Sequence, residues 1–135
     1  MGAAKVIVDA SALLAILFDE PDGQQMEDML IRSHKRSAMS PVNFLEAAVR
    51  VDRFGSDTKS RKFDELLTTL AIDLATVSPE QALLAREAYQ KFGKGNHPAQ
   101  LNLGDCFAYA LSKARGEPLL FKGDDFSKTD VEAAF

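Results

Sequence analysis

The chain has a single cysteine, Cys106, among 135 residues. That excludes an internal disulfide, offers no zinc framework and suits a reducing compartment. No run approaches the roughly 20 apolar residues that a membrane helix needs. The start, Met1-Gly2-Ala3-Ala4-Lys5-Val6, lacks the long apolar stretch of a signal peptide. The expectation is a cytoplasmic protein with no membrane association. An excess of positive charge is also missing: 16 Lys and Arg face 20 Asp and Glu, for a net charge of −4. Bulk electrostatics therefore do not advertise nucleic-acid binding. An acidic protein can still bind phosphates where its basic residues cluster or where divalent cations invert the local field. Repeats, low-complexity tracts and linkers are absent, and Gly93, Gly95 and Gly104 do not end in the Gly-Lys-Ser/Thr of a Walker loop.

What is present is ordinary globular sequence, 46% apolar and 27% charged, long enough for one domain with a real core. Lys5 to Val8 is a β-branched run closed by Asp9 and predicts a buried strand. Ala12 to Phe18 predicts a helix, broken by Glu20-Pro21-Asp22-Gly23, and a second helix runs through Met26, Met29 and Leu30. Ser37 to Met39 is a short strand. Ser40-Pro41 then opens a helix that stops at Gly55, because serine caps well and proline is tolerated in the first turn. Phe63, Leu66, Leu67 and Leu70 have the spacing of one buried helix face. Ile72 to Val77 predicts a strand, Ser78-Pro79 opens a helix carrying Ala85, Ala88, Tyr89 and Phe92, and residues 93–104 read as loop. A helix from Asp105 to Arg115 ends at Gly116, and Pro118 to Phe121 begins the last strand. Strands alternating with amphipathic helices indicate an α/β fold with a mainly parallel sheet. Ligands bind beyond the carboxyl ends of such strands.

Several carboxylates fall there, each with a structural reading beside a functional one. Asp9 can cap the next helix or place a hard oxygen ligand at the sheet rim. Glu46 stands too deep in its helix to cap; spacing sets it beside a Val42, Leu45 and Val49 stripe near the core, and an ion pair with Arg50 is its structural role. Asp105 suits a helix start in any case, with Ala108, Tyr109 and Ser112 continuing its face and Phe107, Ala110, Leu111 and Ala114 forming the apolar one. Asp124 and Asp125 sit in turn chemistry after the last strand, with Asp130 a weaker candidate. Jointly these acids would repel one another and take up protons. A divalent cation relieves that repulsion, and magnesium or manganese prefers carboxylate oxygens. One or two such ions can drive in-line displacement at a phosphodiester.

Four segments carry a family resemblance: Val8-Asp9-Ala10-Ser11-Ala12-Leu13; Asn43-Phe44-Leu45-Glu46-Ala47-Ala48; Leu103-Gly104-Asp105-Cys106-Phe107-Ala108-Tyr109-Ala110; and Pro118 to Phe126 with Thr129-Asp130-Val131. In that order they resemble PIN-domain nucleases, and more narrowly the VapC toxins of bacterial toxin–antitoxin pairs. The resemblance implies one PIN domain over residues 1–135 and a parallel sheet sandwiched by helices. It also implies a Mg2+-dependent (or Mn2+-dependent) endoribonuclease that leaves a 5′-phosphate and a 3′-hydroxyl, dimerises, and is inhibited by a VapB-type antitoxin. Asp9, Glu46 and Asp105 match the three family acids, the fourth being Asp124 or Asp125, and Ser11 matches a small polar residue that supports the first. Asp9 and Asp105 are expected as direct metal ligands. Glu46 either completes the shell or orients and deprotonates the attacking water, and the fourth acid acts through a coordinated water.

Other residues invite functional readings that the sequence does not support. His34 and His97 stand in no ligand pattern, and Cys106 reads as a small packing residue rather than a nucleophile. The runs Arg32-Ser33-His34-Lys35-Arg36 and Lys59-Ser60-Arg61-Lys62, with Arg50, Arg53, Lys91 and Lys94, could meet RNA phosphates; the first run is the strongest candidate if it edges the acidic cleft. A haloacid-dehalogenase-like phosphatase would want an Asp where Ser11 stands. The serious rival is a PIN-like RNA- or protein-binding module that has lost catalysis, although every core position remains acidic.

Overall fold

The computed structural model describes residues 5–134; the stretch 1–4, read above for targeting signals, lies outside them. Four strands form a sheet in the order β3-β2-β1-β4: β1 is Val6–Val8, β2 Ser37–Met39, β3 Asp73–Leu74 and β4 Leu119–Leu120. All pairings are parallel, with Ile7 opposite both Ala38 and Leu119 and Met39 opposite Leu74. Parallel strands need long crossovers, here supplied by helices α1 (Ala10–Leu17), α2 (Gly23–Arg32), α3 (Pro41–Arg53), α4 (Asp57–Thr69), α5 (Pro79–Phe92) and α6 (Leu103–Arg115).

Side chains alternate across a strand, and the core divides accordingly. Val6, Val8, Met39 and Leu120 face a cluster with Leu13, Met26, Leu30, Val51 and Phe63 from α1 to α4. Ile7, Ala38 and Leu119 face the opposite cluster with Ala85, Ala88, Leu111 and Tyr109 from α5 and α6. Helices thus cover both faces of the sheet, the sandwich that the family resemblance implied. The outer edge of β4 is closed by the segment after a short 3-10 turn, Phe126–Lys128. There the Leu119 amide donates to the Glu132 carbonyl at 2.8 Å and the Ala134 amide to the Leu119 carbonyl at 2.9 Å.

Local chemistry explains most boundaries. Ser40 and Ser78 cap α3 and α5 with proline in the first turn. Gly116 ends α6 in the left-handed region, at φ 64°, where glycine carries no Cβ penalty. Two elements differ from expectation. The strand expected over Ile72 to Val77 shrinks to two exposed residues at the sheet edge, because only Ala38 and Met39 offer it partners. Helix α6 starts at Leu103 rather than Asp105, since Asn102 and Asp105 form a reciprocal capping box that puts Asp105 in the third helical position.

Two expected helix faces also differ. In α3, Leu45 and Val49 are 60% and 45% exposed, so the stripe beside Glu46 faces outward while Asn43, Ala47 and Val51 face the core. In α6, Ala108, Tyr109 and Ser112 are buried along with Ala110 and Leu111, whereas Ala114 is exposed. That helix is covered on most sides because α5 packs along one flank and β1, β4 and α3 lie against others.

Candidate active site

The carboxyl end of β1 delivers Asp9 directly into the N-cap of α1. Its Oδ2 accepts from the Ser11 amide at 3.0 Å and the Ser11 hydroxyl at 2.6 Å. Ser11 Oγ in turn accepts from the Lys122 amide at 2.9 Å, joining the exit of β4 to the exit of β1. Asp9 is 3% exposed, and its other oxygen, Oδ1, has no hydrogen-bond partner among the described residues. Asp9 therefore caps α1 through one oxygen and leaves the other spare.

Glu46 comes from α3. As a residue it is exposed, but its carboxyl end lies on the first turn of α6. A Cβ on Gly104 would fall 2.5 Å from Glu46 Oε2 and 2.8 Å from its Cδ, so only glycine permits this approach. Asn43, one turn earlier and fully buried, donates from Nδ2 to the Gly104 carbonyl at 2.8 Å and, less closely, to Glu46 Oε1 at 3.4 Å. The ion pair anticipated between Glu46 and Arg50 does not form among the described residues. Asp105 spends one oxygen on its cap, accepting from the Asn102 amide at 3.0 Å.

Asp9, Ser11, Glu46 and Asp105 line one open pocket of about 660 Å3, together with Ala10, Leu14, Val49, Arg50, Arg53 and Phe54. Burial pushes the Asp9 carboxyl up to about 6, with the Glu46 charge adding to the rise against the lowering by the Ser11 bonds. Asp105 is likewise pushed up to about 6, chiefly by burial, and by the charges of Asp9 and Asp125. Glu46 is raised by burial of its carboxyl and by Asp105. These acids repel one another without a compensating cation. Of the two turn acids, Asp125 is the one whose charge reaches Asp105; both are exposed, and neither lines the pocket.

The donor chemistry fits a hard divalent ion: carboxylate oxygens, no counter-charge paired to them among the described residues, and one buried carboxylate oxygen, Asp9 Oδ1, left there without a donor. No three His, Cys, Asp or Glu side chains among the described residues are grouped so as to hold a metal ion together. Magnesium does not require that, since it keeps several waters and binds through one or two carboxylates.

The remaining candidates fall elsewhere. Asp130 accepts from the Tyr109 hydroxyl at 2.6 Å and pairs with Lys113 at 3.1 Å, away from the pocket. His34 is exposed in the turn after α2. His97 Nδ1 accepts from the Ala99 amide at 3.0 Å while its ring meets Phe92 edge-on. Cys106 is buried, with its thiol pushed up to about 11 by burial and by Asp105, which disfavours a thiolate nucleophile. The run Arg32 to Arg36 leads into the amino end of β2, opposite the acids; Arg50 and Arg53 are the pocket's basic residues instead. Asn43 and Asn102 were not singled out from sequence. The spacing of Asn43 one helical turn before Glu46 was the available signal for the first.

A parallel sheet with acids at its carboxyl edge matches a described class: the PIN domain model covers residues 6–132. Ribonuclease VapC30 of Mycobacterium tuberculosis is 46% identical over 127 residues, 93% of this chain and 95% of its own. Ribonuclease VapC of Mycolicibacterium smegmatis is 46% identical over 129 residues, 95% of this chain and 98% of its own. The crystal structure of M. tuberculosis VapC20, described as a Sarcin-Ricin loop cleaving toxin, superposes with a TM-score of 0.73 over 94% of this chain and 96% of that one. At 13% identity that likeness concerns the fold. This chain belongs to the PIN-domain family and, within it, to the VapC ribonucleases. No helix among the described residues is long and apolar enough to cross a membrane.

Proposed function

We propose that this protein is the toxin of a toxin–antitoxin pair, a single-domain endoribonuclease that works with Mg2+ or Mn2+ and is silenced by a VapB-type antitoxin. Its relatives' names supply RNA as substrate and the toxin role. The observation that carries the reading is the spare buried Oδ1 of Asp9, in a pocket shared with Glu46 and Asp105 whose charges raise one another's proton affinity. A homodimer in the cytoplasm is the expected assembly and place.

Asp9 and Asp105 would hold the cation, with Ser11 fixing the Asp9 carboxyl so that Oδ1 stays free. The ion, when bound, supplies Lewis-acid stabilisation of charge on the phosphodiester. Glu46 stands where a base is needed: burial and the Asp105 charge raise its proton affinity, which makes it a better proton acceptor, and Asn43 with Gly104 fixes its carboxyl. Glu46 then takes the proton of the water that attacks phosphorus, while the bond to the 3′ oxygen breaks. The products are a 5′-phosphate and, after proton uptake from solvent, a 3′-hydroxyl. Asp125 is the turn acid assigned to the site, because its charge is felt at Asp105.

The test is cleavage of labelled total RNA with magnesium, manganese or EDTA, comparing wild type with Asp105→Asn. Discrete products that need the metal and vanish in the variant are expected. Folded protein that cuts nothing with either metal would instead indicate a binding module.

A further inference from the structure

Arg50, Arg53 and Phe54 line the acid pocket but have no part in the chemistry above. Glu46, Arg50 and Arg53 recur at helical spacing on α3, so both arginines share the face of the catalytic glutamate. Neither arginine is ion-paired among the described residues, although Lys113, Arg115 and Lys122 all are. Two guanidinium groups therefore stand at an acid-lined pocket with no protein carboxylate paired to them. Beside them Phe54, the C-cap of α3, is 61% exposed. Its ring is not adrift: Phe18 meets it edge-on with centroids 5.1 Å apart and planes at 66°. Phe18 is held in turn by Lys59, whose Nζ lies 5.3 Å from its centroid and donates to the Leu17 carbonyl at 3.1 Å. Phe54 is thus braced on one side by Phe18 and largely open to solvent.

We infer that Phe54, Arg50 and Arg53 form a subsite for one unpaired nucleotide adjoining the scissile phosphate, with the base stacked on Phe54 and its phosphate held by the two arginines. The inference rests on the nuclease reading and names the residues by which this chain would favour single-stranded or looped RNA over a duplex. A base inside a duplex is stacked on both faces and has none to offer, whereas a splayed base does. Guanidinium groups suit phosphate because their planar forks bond two oxygens at once. They also offset the repulsion that Asp9, Glu46 and Asp105 exert on an incoming strand. Stacking on an aromatic ring tolerates any base, so this subsite selects unpaired structure rather than sequence.

The experiment measures binding by fluorescence anisotropy in Mg2+, using Asp105→Asn protein to suppress cleavage and one RNA presented as a single strand or as a duplex. Tighter binding of the single strand is expected. Phe54→Leu, which keeps apolar bulk, should weaken it by about ten-fold and leave the duplex unchanged, while Phe54→Trp restores it. Arg50→Ala with Arg53→Ala should flatten the salt dependence by about 1.4 in log K against log salt, two single-strand phosphates' worth. Equal affinity for both RNAs, or Phe54→Leu binding like its parent, overturns the subsite. If Phe54→Leu instead leaves RNA binding intact and frees the enzyme from an inhibiting protein, the ridge is a protein-docking face and the proposal fails. Wild-type cleavage measured in parallel keeps the two readings apart. Intact cleavage without the stacking effect removes only the subsite; a stacking effect without cleavage removes only the nuclease.

Discussion

Asp9 follows β1 and Asp130 lies in the segment after β4, and the protein treats these two aspartates in opposite ways. Asp130 is exposed, accepts from the Tyr109 hydroxyl and pairs with Lys113, and these bonds hold its carboxyl below the usual range. Asp9 is buried, faces Glu46 rather than a cation, and leaves Oδ1 without a donor, so its carboxyl is pushed up to about 6. The first arrangement fastens the chain after β4 to α6. The second retains an electrostatic conflict that a bound cation can relieve. An acid satisfied by the protein serves the fold; one left unsatisfied in a pocket is available for a ligand.

The sharpest way to break this contrast is at Gly104. Ala in its place puts a methyl against the Glu46 carboxyl and displaces that acid without removing it. RNA cleavage should fall on the order of 10- to 100-fold, as when other supports of a metal site are lost. Unfolding free energy should drop by about 1–3 kcal/mol from overpacking. Unchanged cleavage would mean that the placement of Glu46 does not matter.

pH sharpens it next. The Asp9 carboxyl titrates near 6 in the folded protein against 3.8 for the free side chain. The folded state therefore holds the extra proton in that interval, and the stabilisation it brings is lost as pH rises through about 6. Denaturant unfolding in EDTA should show wild type losing roughly 2 kcal/mol relative to Asp9→Asn between pH 4 and 7. Magnesium should recover part of that at pH 7. Cleavage should decline as pH falls below about 6, since a protonated carboxyl is a poor ligand. A difference between the two proteins that does not change with pH would show that Asp9 carries no such conflict.

The smallest effect belongs to the satisfied acid. Tyr109→Phe deletes the hydroxyl bond to Asp130 and should cost about 1 kcal/mol of stability, while cleavage stays within about two-fold. A large loss of activity at unchanged stability would move Asp130 into the catalytic group.

Much of this was legible in the chain because it is written locally. Ser40-Pro41 and Ser78-Pro79 open helices where expected, and Asp9 falls at a strand's carboxyl end because a β-branched run stops there. What was not legible depends on distant partners. The extent of β3 is set by how much of β2 is free to pair with it. The outward face of Leu45 and Val49 could not be read from their spacing, since the neighbouring stripe of Asn43, Ala47 and Val51 has the same period. The bond from Asn43 to the Gly104 carbonyl crosses 61 positions, and no local pattern encodes it. Sequence places both Asp124 and Asp125 beyond β4, and only the fold of the turn shows which of them has its charge felt at Asp105.

The hydroxyl of Ser11 has a consequence in time as well as in space. It joins Asp9 to the Lys122 amide, 111 positions after Ser11 itself, and β1 pairs with β4, the last of the four strands in chain order. The first acid therefore acquires its full support only after β4 and Lys122 have been synthesised. A chain still being synthesised, or one broken off before β4, carries Asp9, Glu46 and even Asp105 but lacks the neighbours that hold the first in place. For a ribonuclease, this order of manufacture is itself a safeguard, delaying the onset of cutting until β4 has been made.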